Sequence, residues 1–161
     1  MDDWQQRVDA IWDDAAERGE EATLAAILAL AAERPSGDPL ALSESAGAYD
    51  YAGREAEAEP LYRAALDAGL PEPERSRATI QLASTLRNLD RPEEAVELLR
   101  DLLADRPHDP LAADARAFAA LALFDLGLGA EALREALAAL VPHLARYGRA
   151  VSAYAAELDD E

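Results

Sequence analysis

Apolar residues recur along this chain at spacings of three, four and seven, the signature of one helical face. Trp4, Val8, Ile11, Trp12 and Ala15 share such a face, which predicts a first helix over about 3–18, stopped by Gly19. Glu20 and Glu21 open a second, to about Glu33, where negative charge suits the positive end of the helix dipole. Ala22, Ala25, Ala26, Leu28 and Ala29 give it a smooth packing face. Asp38 is expected to N-cap a third helix, with Pro39 in its first turn and Gly53 at its end. A fourth runs from about Arg54 to Ala68, with Gly69 as its stop, and Pro60 is expected to bend it or delay its start. After the Leu70–Pro73 link come a fifth and a sixth, joined by a tight turn at Asn88-Leu89-Asp90-Arg91. Asp109-Pro110 repeats the Asp-Pro start and predicts a seventh helix up to Gly127. An eighth covers about Ala130 to Val141, and Pro142 separates it from a ninth, about 143–158, weakened at Gly148.

The pattern repeats. The helix-ending turns at Gly53, Asp90 and Gly127 are 37 residues apart, as are Glu57-Ala58, Glu94-Ala95 and Glu131-Ala132. Leu66, Leu103 and Leu140 keep the same step, and so do Ala46, Ala83 and Ala120. The first pair fits more loosely, Glu21-Ala22 preceding Glu57-Ala58 by 36. Small residues at a crossing let two helix backbones approach closely. Each hairpin has one apolar face it cannot bury alone, and stacking on the next buries it. The expected fold is all-α: hairpins at about 3–34, 38–69, 73–106 and 109–141, with a capping helix at about 143–158, forming one domain.

These positions resemble the tetratricopeptide repeat. Ala46 and Tyr49 match the first helix of its motif, and Ala58, Tyr62 and Ala65 the second. The central unit offers Ala83, Leu86, Ala95, Leu99, Leu102 and Pro107, and the next Ala120, Leu123, Ala132, Ala136 and Ala139. The period exceeds the family's usual repeat of about 34 residues, and the motif's Trp is absent from all three units. The resemblance implies a right-handed superhelical stack of antiparallel hairpins. It also implies a protein-interaction scaffold whose concave groove is lined by the first helix of each pair.

Charge narrows the partners. The 161 residues carry a net charge of −18, all 15 cations are Arg, and there is no cysteine. That balance opposes nucleic acid and anionic membrane surfaces. Disulfides and thiolate metal sites are excluded, and no apolar run approaches a membrane span. The acidic start, Met1-Asp2-Asp3, lacks the positive charge of a secretory signal, so a cytoplasmic location is expected. The ends, Met1–Asp3 and Asp159–Glu161, are expected to fray. Residues 1–60 hold a net −11, whereas 75–106 balance six Arg against six acids.

Carboxylates this abundant do not single out a catalytic pair. His108 and His143 lack a second His or Cys at metal spacing, Ser84 lacks an evident base, and no phosphate loop appears. No enzyme activity, metal or cofactor is expected. Groove-facing positions fall at Glu44 and Tyr51 in the third helix, at Arg77, Gln81, Ser84, Arg87 and Asn88 in the fifth, and at Phe118 and Leu121 in the seventh. Ser43, Gly47, Asp50, Asp114 and Asp125 accompany them. Asn88 suits an extended peptide because its amide both donates and accepts, although its place near a helix end also suits a left-handed residue. Arg75, Arg77 and Arg87 either grip a carboxylate or acidic side chain of a partner or pair internally with Asp50, Glu72 or Glu74. Having no Lys and one Asn, the chain lacks the residues of the family's chaperone-carboxylate clamp. Phe118, Leu121 and Phe124 form a stripe expected to be core, partly covered by the ninth helix, or else a groove or self-association surface that would make a homodimer. Trp4, Trp12, Tyr147 and Tyr154 are expected to be packing residues.

Overall fold

The computed structural model describes residues 3–158. Every regular element among them is helical, and the α-helices number ten. Two compact units divide at Ala78, inside the sixth helix.

The first unit opens with α1 (Asp3–Asp13) and α2 (Ala15–Arg18), followed by α3 (Glu20–Ala31), α4 (Pro39–Tyr51) and α5 (Glu55–Asp67). The predicted first helix is therefore broken at Asp14. Its backbone departs from helical geometry, and its carbonyl accepts from both Glu17 and Arg18. Trp4, Val8, Leu24, Ile27, Leu30, Ala41 and Ala48 make the core, with Ile11, Trp12, Leu28 and Tyr49 packed against it. The Trp4 indole N–H donates to the Leu30 carbonyl at 2.9 Å, and the Arg34 guanidinium lies 4.6 Å above the Trp4 ring. Asp38 N-caps α4 as expected, accepting from the Ala41 amide at 3.0 Å. Pro60 neither delays nor ends α5, which runs through it from Glu55. It is the sixth helical residue and exposed, so only one intrahelical hydrogen bond lacks its donor.

The second unit holds most of α6 (Glu74–Asn88), then α7 (Pro92–Asp105), α8 (Ala112–Asp125), α9 (Gly129–Leu140), a 3-10 turn (Val141–His143) and α10 (Gly148–Ala155). Successive helices from α7 to α10 pack on one another. Leu82, Leu86, Val96, Leu99, Ala115, Ala122 and Leu123 are buried there.

The 37-residue step is written in the turns. At Gly53, Asp90 and Gly127 the backbone is left-handed, with φ of 67°, 58° and 78°. In each the following amide reaches back five residues: Arg54 to Tyr49, Arg91 to Leu86, Leu128 to Leu123. Each turn residue's own amide reaches back three, to Asp50, Arg87 and Phe124. That is the Schellman closure, which satisfies helix-end carbonyls and requires a left-handed residue that glycine adopts without strain. Asp90 carries that strain in the central unit, so Asp90→Gly is expected to raise stability by about 0.5 kcal/mol, read as a higher urea midpoint. The left-handed residue is thus Asp90; Asn88 is the last residue of α6.

Two starts differ from expectation. Asp109 does not cap α8, which begins at Ala112. Its Oδ2 accepts from the Arg106 guanidinium at 2.7 Å and its Oδ1 from the Leu111 amide at 2.8 Å. A carboxylate bonded two residues ahead makes an Asx turn instead of a helical first turn. The last helix begins at Gly148, not at 143, because Leu144 is extended and Tyr147 left-handed. Arg134 of α9 donates to the carbonyls of Ala155 and Leu158, tying down the end of α10. Tyr147 and Tyr154 are exposed at 76% and 70%, contrary to a packing role. The expected fraying of the ends concerns residues 1–2 and 159–161, which lie outside the described residues; Asp3 already belongs to α1.

Candidate partner-binding site

One line along each first-of-pair helix, Gly47 of α4 excepted, escapes full burial, and the three lines correspond at the repeat step. In α6 it runs through Arg77, Gln81, Ser84 and Asn88, exposed at both ends and half-buried between. In α8 the equivalent positions are Asp114, Phe118, Leu121 and Asp125, of which only Phe118 is half-buried. In α4 they are Leu40, Glu44, Gly47 and Tyr51, where Gly47 is buried instead of lining an open face. The spacing of four, three and four residues keeps each set on one side of its helix.

The most developed chemistry lies in the first unit. Glu44 is half-buried, and its Oε2 accepts from the Trp12 indole N–H at 2.7 Å. Gln5 donates to the same carboxylate and, at 2.9 Å, to Asp9. The Trp12 ring meets Tyr51 edge to face, with centroids 5.8 Å apart and planes at 89°. Burial is the main influence on the Glu44 carboxyl and pushes its pKa above the ordinary carboxylate value, with Asp9 adding to the rise. The Trp12 hydrogen bond, the field of Arg77 and the Gln5 hydrogen bond pull the other way. In the same unit the Tyr62 hydroxyl is fully buried without a hydrogen-bond partner. Burial and the charges of Asp50 and Glu44 hold its pKa far above the usual phenol value.

A raised carboxyl pKa destabilises the fold at neutral pH. Folding favours the protonated form, so the Glu44 contribution to stability is fully present below the unfolded carboxylate pKa. It is lost as pH rises through the higher folded value. Glu44→Gln keeps an acceptor for Trp12 without the charge. This variant is expected to be more stable than the parent at pH 7, the gain vanishing toward acid pH, in parallel melts across pH.

Glu44, Tyr51 and Arg77 thus belong to one unit, and Trp12, Gln5 and Asp9 complete their surroundings. Gln81, Ser84, Arg87, Asn88, Phe118 and Leu121 belong to the other. There Arg87 of α6 pairs with Asp125 of α8. Its guanidinium already holds a carboxylate of the following hairpin, not the Asp50, Glu72 or Glu74 expected. The apolar stripe of α8 is not core: Leu121 is 48% and Phe124 71% exposed, while Phe118 is half-buried. Helix α10 packs on α9 and the 3-10 turn. Trp12 was legible only as a packing residue, since nothing local in the sequence signals a partner 32 residues away.

A shallow depression of about 440 Å³ lies between the end of α3 and the start of α4, lined among others by Leu28, Pro35 and Ser45. The Ser45 hydroxyl is engaged by the Ala41 carbonyl at 2.7 Å, and no histidine lines the depression. Among the described residues no group of three or more His, Asp and Glu side chains is arranged to hold a metal, and no helix is long and apolar enough to cross a membrane.

The tetratrico peptide repeat profile matches residues 39–158, from the first residue of α4 onward. The chain belongs to the tetratrico peptide repeat family. The fold of this repeat protein is also that of a solved structure, the nearly identical TPR-like repeats of a kinesin-light-chain-type protein of Podosopora anserina. The two are 18% identical with a TM-score of 0.73, over 95% of this chain and 85% of that one. At that identity the likeness is one of fold. No curated protein matches the repeat protein in sequence. The stacked antiparallel pairs of the repeat family are established on these grounds, and repeats of this kind generally serve protein–protein interaction.

Proposed function

We propose that this repeat protein is a non-catalytic module whose first unit holds a segment of a partner protein against the accessible line of α4. The observation that carries this is the recurrence of incompletely buried positions at one register of α4, α6 and α8, Gly47 excepted, while Ala46, Ala83 and Ala120 are buried. Ala46, Ala83 and Ala120 are 0%, 1% and 8% exposed. A photo-crosslinking amino acid at Tyr51 is expected to capture a cellular protein that the same group at Ala56, exposed on α5, does not. Equal capture from both, or none from Tyr51, would contradict the proposal.

A second reading has its own observation. Leu121, Phe124, Leu133, Leu140, Tyr147 and Tyr154 of the second unit are all substantially exposed, and an apolar surface of this kind supports self-association into a homodimer. Light scattering at micromolar concentration decides it: a monomer removes this reading.

A further inference from the structure

We infer that the Glu44 carboxylate, framed by Trp12 and Tyr51 with Asp9 beside it, seats a guanidinium or ammonium side chain of the partner polypeptide. The inference rests on the protein-binding proposal and specifies the chemistry at one point of that face.

Several exposed or half-exposed acids are met directly by arginine: Glu33 by Arg7, Glu57 by Arg54, Glu94 by Arg91, Glu131 by Arg100 and Glu135 by Arg116. Such pairs in water contribute little. Glu44 is withdrawn from solvent, where an opposite charge would matter more, yet its hydrogen-bond donors are the neutral Trp12 and Gln5. Arg77 acts on it only through its field. A withdrawn carboxylate with neutral donors is an incomplete arrangement, because desolvation has been incurred without a neutralising partner.

What surrounds it suits a cation. The neighbouring acid, Asp9, adds to the negative potential, and residues 1–60 carry a net −11. Tyr51, edge to face with Trp12, remains 39% exposed and can offer its ring to a cation. Aromatic faces attract cations, and arginine can add a charge-assisted hydrogen bond to the carboxylate. The independent sign is Tyr62. Its hydroxyl is fully buried and unpartnered, and the carboxylates acting on it are Asp50 and Glu44. The first unit therefore holds an unanswered buried hydroxyl within the field of the Glu44 carboxylate. An acidic partner segment would be repelled at this position, so a carboxylate-binding role is not assigned to it.

The test uses the full chain and three short acetylated peptides of alternating Ala with Arg, with citrulline, or with Glu. Citrulline keeps the shape of arginine without its charge. The Arg peptide is expected to bind at least about tenfold more tightly than the citrulline peptide, and Glu44→Gln to weaken it by roughly tenfold. Glu97→Gln, which removes the same charge from the exposed surface of α7, is expected to leave binding unchanged. Equal weakening by both substitutions would reduce the effect to general attraction by an acidic chain and overturn the inference. So would equal binding of the Arg and citrulline peptides, or tighter binding of the Glu peptide. If the cross-linker at Tyr51 still captures its protein in such a case, only the cation assignment falls. If Tyr51 captures nothing, the binding face itself falls with it.

Discussion

Leu99→Ala is expected to cost about 2–5 kcal/mol, enough to unfold much of the chain near body temperature. Leu99 is fully buried in α7. Removing its branched end deletes apolar contacts and leaves a cavity that the neighbouring helices close only in part. The same repeat position holds the fully buried Tyr62 one period earlier and the exposed Ala136 one period later. Ala136→Leu is therefore expected to change stability by less than about 0.5 kcal/mol. Urea unfolding of the two variants checks both: similar costs at 99 and 136 would mean that the repeat positions are not buried as described.

The opposite kind of change is expected to be nearly as damaging in α4. Ala46 is fully buried, with Gly47 and Ala48 buried beside it. Helix α4 packs on both α3 and α5, so added volume has little room to escape. Ala46→Leu is expected to destabilise by about 1–3 kcal/mol, despite leucine's good helix propensity and larger apolar surface. A thermal melt followed by circular dichroism reads the effect as a lower midpoint with native helix content retained below it. An unchanged or raised midpoint would show that the small residues recurring in step do not set how closely the helices approach.

These two changes act on the part of the protein that was legible in its sequence. Gly53 and Gly127 mark turns because a left-handed backbone selects glycine, and Asp90 is recognisable at the same step although its side chain is strained there. The alanines are legible because crossing helices select small residues. Less legible were features that depend on competition or on distance. Asp109 reads as a helix cap until Arg106 and the Leu111 amide are seen to share its carboxylate. Tyr147 and Tyr154, seven apart, read as one packed face. Instead α10 is only eight residues long, and its buried residue is Ala155. Arg87 reads equally as open to a partner or as paired with Asp50, Glu72 or Glu74 until Asp125, 38 residues on, is found against it. Asn88 and Asp90 differ by two residues, less than the precision with which periodicity sets a helix end.

The candidate site was half legible for the same reason. Glu44, Tyr51 and Arg77 follow from register, since each lies on the less buried side of its helix. Trp12 does not, because it comes from α1, outside the three closely matched units, and reaches Glu44 by tertiary packing. Local rules are broken most clearly at Glu44 and Tyr62, one a withdrawn charge with neutral donors and the other a buried hydroxyl with none. Departures from good internal chemistry concentrate where a protein has work other than folding. The expected gain in stability for Glu44→Gln, set beside its expected loss of cation binding, expresses that conflict in two measurements on one variant.

The most direct test of the binding face is amide hydrogen exchange on the full chain, with and without the protein captured through Tyr51. Slowed exchange in α1 and α4, around Trp12 and Glu44, with α5 unchanged, is the expected result. Protection confined to α5 would place the partner on the other side of the hairpin and contradict the account.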